Sequence, residues 1–117
     1  MRPAEGVSVY LCRQPVDFRK SIDGLSAVVE QSLGLDPFGD PLFVFVNRRR
    51  DKIKVLYWER SGFVLWYKRL EKARFPWPES DGGPTLTLSG WELNWLLDGI
   101  DFFRAKPHET LRFRSAV

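Results

Sequence analysis

Residues 42–78 read LFVFVNRRRDKIKVLYWERSGFVLWYKRLEKARFPWP. Three apolar, β-forming runs alternate with charge: Leu42 to Asn47, Ile53 to Trp58 and Phe63 to Leu70. Short polar segments join them, Arg48 to Lys52 and then Glu59 to Gly62. Loops this short between β-type runs predict hairpins, hence a three-stranded antiparallel meander. Gly62 suits the left-handed position that closes a turn with a bulge.

Period two sorts the side chains by face. Lys54, Leu56 and Trp58 oppose Ile53, Val55 and Tyr57; Val64, Trp66 and Lys68 oppose Phe63, Leu65 and Tyr67. Both faces are largely apolar. One must pack on helices. The other is either covered by a second layer or presents aromatic rings.

The same stretch holds the positive charge of the chain. From Arg48 to Arg74, ten Lys/Arg face three carboxylates, a net of +7. The segments before and after it each carry −2, so the overall +3 is a local property of the meander. A single-sign patch on a sheet is the electrostatic footprint of an anionic partner, most often nucleic acid.

Outward from the meander, Val7 to Leu11 reads as a first strand. Phe18, Ile22, Leu25, Val29 and Leu33 recur on one helical face, predicting a helix from Asp17 as N-cap to Leu33, stopped at Gly34. Gly24 inside it is expected to allow close approach to the sheet. Asp36 to Pro41 is a turn-rich connector. Phe75-Pro76-Trp77-Pro78 is expected to leave the sheet as an extended segment. Glu79 to Pro84 is a polar loop, and Thr85 to Leu88 a short strand. Ser89 and Glu92 have capping-box spacing ahead of a helix from Gly90 to Asp98, with Gly99 beyond its end. Its expected apolar stripe is Leu93, Leu96, Leu97 and Ile100.

The fold class is therefore α+β. A small, mostly antiparallel sheet of four or five strands, built on the meander, packs with two helices. The 117 residues form one domain by size, ordered from about 6 to 105 with a frayed tail. A hydrophobic content of 44% supports one packed core.

No catalytic residue and no cofactor is expected. The lone Cys12 excludes an internal disulfide and a cysteine-cluster metal site. Metal-assisted strand cleavage needs clustered carboxylates. Asp17 and Asp23 would lie on different faces of one helix, Asp36 and Asp40 in a turn, and Asp98 and Asp101 across a helix end. Cys12 reads as a buried small residue and His108 as a tail residue. Without a signal peptide or an apolar run long enough to span a membrane, the chain is expected in the cytoplasm.

Binding remains. Arg48, Arg49, Arg50 and Lys52 would meet phosphates from the hairpin tip. Lys54, Lys68, Arg69, Lys72 and Arg74 would extend the track, with Trp58, Trp66 or Trp77 stacking on bases or packing beneath. The alternative is a protein-interaction module, because arginines around aromatic rings also characterise protein interfaces.

Three motifs carry a resemblance to a known family: VDFRKSIDGL at 16–25, the block from Asp36 to Pro78, and LLDGIDF at 96–102. Together they resemble the small accessory proteins, often called TnpB, encoded by the second reading frame of bacterial IS-sixty-six-type insertion sequences. Asp40 and Ala73 stand where a residue such as Ser and a glycine would be more usual. The resemblance implies a role in transposition beside a separate, larger catalytic transposase. The resemblance supplies that process and no molecular mechanism; its transposase is the implied partner, transposon DNA is the partner that the basic segment would take, and self-association is a further arrangement open to the chain.

Overall fold

The computed structural model describes residues 6–79 and 82–105, the last two by backbone alone. Its elements are β1 (Val9–Cys12), α1 (Ile22–Ala27) continuing into a π-helical segment (Val28–Ser32), β2 (Leu42–Val46), β3 (Lys52–Glu59), β4 (Gly62–Arg69), β5 (Thr85–Leu88), α2 (Gly90–Leu97) and α3 (Phe102–Ala105). The expected frayed tail, with His108, and the middle of the Glu79 to Pro84 loop lie outside the described residues.

The five strands form one sheet in the order β4-β3-β2-β1-β5. The meander β2-β3-β4 is antiparallel, with Val44 opposite Val55 and Val55 opposite Trp66. β5 is antiparallel to β1, but β1 runs parallel to β2, with Val9 opposite Leu42. Parallel neighbours need a crossover, and the α1 segment supplies it. The fold is α+β, and the sheet is mostly antiparallel.

Both faces of the sheet are covered. Leu25 and Val29 from the α1 segment pack with Phe43, Phe45, Leu56 and Cys12 on one face. On the other, Val44, Val46, Ile53 and Val55 meet Phe75, Trp77, Leu93, Leu96, Leu97 and Phe102. Burying a large apolar side chain contributes about 1.5–3 kcal/mol, so two such clusters explain why β3 is apolar on both sides.

Several local expectations are corrected. The first helix begins at Ile22, not Asp17. Asp17 forms a side-chain turn: its Oδ1 accepts from Arg19 N–H at 2.9 Å and its C=O from Lys20 N–H at 3.0 Å. Such a bond is the local competitor of a helix. Asp17 therefore precedes the helix that carries Asp23. At the other end, Leu33 N–H reaches back to Val28 C=O at 3.0 Å. The widened turn keeps Leu33 and Leu35 on the core, and Gly34 turns at φ +67°. Gly24 makes room for Lys20 rather than the sheet, since a Cβ there would lie 3.0 Å from Lys20 Cβ.

Gly62 is not the left-handed residue of its turn. It pairs with Glu59, and Arg60 takes the positive φ of 58°. The first strand is shifted, from Val7–Leu11 to Val9–Cys12, with Val7 still packed on the core. The segment Phe75 to Pro78 does not leave the sheet but folds across it, with Phe75 and Trp77 buried. Ser89 and Glu92 form the full capping box. Ile100 departs from the expected stripe: α2 ends at Leu97, Gly99 turns at φ +81°, and Phe102 enters the core while Ile100 is exposed.

Candidate nucleic-acid interface

The basic hairpin tip between β2 and β3 is built on Asn47. This side chain, 9% exposed, sits at the end of β2. Its Oδ1 accepts from Lys52 N–H at 3.0 Å, and its Nδ2 donates to Asp51 Oδ1 at 2.6 Å. Its C=O accepts from Arg50 N–H at 3.0 Å. The amide beside Asp51 holds that carboxyl below its ordinary range. The one acidic side chain of the loop is thus tied to its base.

Arg48 and Arg49 are exposed and Arg50 is half-buried. Arg50 is left-handed, φ 63°, a conformation that costs a residue with a Cβ roughly 1 kcal/mol. Its C=O accepts from Phe75 N–H at 2.7 Å, while Asp51 C=O accepts from Leu70 N–H at 2.8 Å. The tip is thereby bonded to the end of β4 and to the segment that crosses the sheet.

Among the described residues, three concavities with arginine in their walls border this tip. One, of about 560 Å³, lies between the turn after β1 and the tip, with Arg19, Arg48, Arg49 and Lys52 in its walls. A second, of about 480 Å³, is lined by Arg49, Lys72 and Arg74 with Asp51 and Glu71. A third, of about 750 Å³, runs along Phe75 to Glu79 with Arg13, Arg50 and Arg74. Arg49 is common to the first two and so forms the crest between them. Among the described residues Arg48, Arg49, Lys52, Lys72 and Arg74 form no ion pair.

Other expected members of the track are committed elsewhere. Lys54 Nζ donates to the Phe18 and Lys20 carbonyls at 3.0 and 2.8 Å and lies 4.8 Å from the centre of the Phe18 ring. Desolvation lowers its pKa. Lys68, on the opposite face, donates to Leu97 C=O at 2.7 Å, at the end of α2. Arg69 pairs with Glu71 at 3.0 Å.

The three tryptophans separate likewise. Trp77 is buried, and its Nε1 donates to Arg13 C=O at 3.1 Å. Trp66 packs half-buried against the core. Trp58 stacks edge-on with Phe38 and Phe63 at the far end of β3.

Two arginines outside the meander line these concavities but are likewise engaged by other groups. Arg19 is held by Asp17 through a 2.6 Å ion pair, which lowers the Asp17 pKa to about 2. Arg13 donates to Thr85 C=O and Glu79 C=O at 3.1 and 3.0 Å. Neither was legible as a site residue, because the parallel pairing of β1 with β2 brings them to the tip.

Among the described residues no group of three or more His, Cys, Asp or Glu is placed to hold a metal ion, and no helix is long and apolar enough to cross a membrane. Burial raises the Cys12 thiol pKa, which disfavours the nucleophilic thiolate.

A family model described as IS66 Orf2 like protein matches residues 7–107. Two proteins of Sinorhizobium fredii are similar across most of the chain. "Uncharacterized protein y4jC" is 38% identical over 104 residues, 89% of this chain and 88% of its own. "Uncharacterized protein y4hO" is 35% identical over 108 residues, 92% of this chain and 91% of its own. No solved structure matches.

Proposed function

The chain belongs to the IS66 Orf2-like family of transposition-associated accessory proteins, and from that premise we propose that it is a non-catalytic protein that binds the element's DNA through the basic hairpin tip. It acts in the cytoplasm alongside the transposase. The observation that carries this reading is the convergence of Arg48, Arg49, Arg50, Lys52, Lys72 and Arg74 around one end of the sheet. Arginines in such a patch contact phosphate oxygens, which position a protein on nucleic acid without specifying sequence. The left-handed Arg50 supports the same reading, because glycine would occupy that backbone more cheaply.

The test is binding of the pure protein to DNA from the ends of the element, with and without transposase. Saturable, salt-sensitive binding by the protein alone is expected. Binding only in the presence of transposase would refute the reading.

A second reading rests on α2. Trp91 and Trp95, one turn apart, are 53% and 43% exposed, and Ile100 beside them is 50% exposed. Exposed aromatic side chains are enriched at protein interfaces. On this reading α2 docks on the transposase while the tip holds DNA. Changing Trp91 and Trp95 to Ser would then abolish capture of purified transposase but leave DNA binding intact.

A further inference from the structure

We infer that the nucleic acid taken by the tip is a duplex, with the Arg48 to Arg50 turn entering its major groove and the flanking cations reaching the phosphates on either side. This rests on the DNA-binding reading above and adds strandedness and groove. The first observation is the two-sided placement of charge. Lys52 lies on the α1 face of the sheet, where Arg19 lines the same concavity. Lys72 and Arg74 line the next one, and Arg74 leads into Phe75 on the opposite face. The tip, with Arg49 at its crest, stands between. A groove of duplex DNA is bounded by two phosphate backbones, one for each side of such a ridge; a single strand has only one.

The second observation is where the aromatic rings are. Single-strand binders combine a basic track with successive rings on which bases stack. Here Trp77 is buried and Trp66 packs on the core. Trp58 lies six residues along β3 from Lys52, about 20 Å away at the rise of an extended strand. Beside the basic end are Tyr67, opposite Lys54 and 50% exposed, and Phe18, which is half-buried and has the Lys54 ammonium over its ring. With Phe18 already covered by Lys54, these two do not make a row of free stacking platforms.

The third observation is width and stiffness. The tip is a two-stranded turn, with strands about 4.8 Å apart before side chains are added. The major groove, about 12 Å wide, admits a two-stranded ribbon; the minor groove, about 6 Å wide, does not. The Asn47 bonds and the ties from Leu70 and Phe75 hold the turn in shape. Little ordering is then needed on binding, which favours a preformed ligand surface.

The experiment compares the full-length protein on a duplex from the element's end and on each of its separated strands, at one salt concentration. Duplex affinity is expected to exceed single-strand affinity at least about tenfold, the two being told apart by phosphate contacts on both flanks. Dimethyl sulfate probing of the duplex should show protection at guanine N7, in the major groove. Lys52→Ala should reduce the salt slope by about one, and separately the pair Lys72→Ala with Arg74→Ala by about one to two. Equal or tighter binding to a single strand would overturn the inference while leaving DNA binding in place. Protection at adenine N3 instead would overturn the groove assignment. Binding to neither form would overturn the proposed function with it.

Discussion

Asn47 and Asp51 are joined by a 2.6 Å hydrogen bond across the base of the hairpin tip. This contact turns the only acidic side chain of the loop to the loop's base, leaving Arg48 and Arg49 outermost. Without it, Asp51 would be free to pair with a neighbouring arginine and neutralise part of the patch.

Asn47→Ala should therefore lower stability by about 1–3 kcal/mol, because Lys52 N–H loses its side-chain acceptor at a half-buried position. Urea denaturation measures this. An unchanged midpoint would mean that the turn shapes itself without Asn47.

Lys54 gives the contrast between charge and role. Its ammonium serves two carbonyls of the loop before α1. Hydrogen bonds to charged groups contribute about 1.5–3 kcal/mol, reduced here by partial solvent exposure. Lys54→Met should destabilise the fold by about 1 kcal/mol and leave the salt dependence of DNA binding unchanged. A fall in that salt dependence, with stability intact, would return Lys54 to the interface.

These two residues mark what could be read in the chain. The meander was legible because its strands alternate by face and its loops are short, so each pairing is local. The Ser89–Glu92 box was legible because capping is set within four residues. The start of α1 was not, since Lys54, thirty-six residues from Phe18, takes carbonyls that would otherwise serve the helix. Lys68 reads as part of the basic track for the same reason: its partner, Leu97 C=O, comes from another element. Trp77 reads as a candidate ring in the sequence, but Phe75 to Pro78 fold across the sheet and bury it in the core. The tip itself was legible from the Arg run, but Asn47 beneath it was not, since nothing in an isolated Asn distinguishes a surface residue from a buried one.

Arg50→Gly should separate stability from binding. Glycine removes the left-handed strain, a relief of about 1 kcal/mol, though its greater freedom in the unfolded chain offsets part of this. Stability should hold or rise slightly, whereas the salt slope should fall by about one. A clear loss of stability would show that the Arg50 side chain supports the fold.

Acid should weaken the fold in a defined window. Arg19 lowers the Asp17 pKa to about 2 in the folded protein, and the Asn47 amide lowers that of Asp51. Both carboxyls are near 3.9 when unfolded, so between the two values the unfolded chain binds more protons. Their contribution is complete above about pH 4 and is lost as the pH falls through the folded values. Denaturation midpoints should decline from about pH 4 toward pH 2, less steeply for Asp17→Asn. Asp17 is exposed and Asp51 half-buried, so salt should blunt the effect, more at Asp17 than at Asp51.

The most direct test of a DNA-binding tip is the salt dependence of affinity for the parent protein and for Arg48→Ala/Arg49→Ala/Arg50→Ala. With about four to six phosphate contacts, log affinity should fall with log salt at a slope of roughly −4 to −5. The triple variant should lose up to about three units of slope, with its denaturation midpoint and transposition measured in parallel. A smaller slope, a folded variant and reduced transposition are expected. An unchanged slope in a folded variant would contradict DNA binding by this tip.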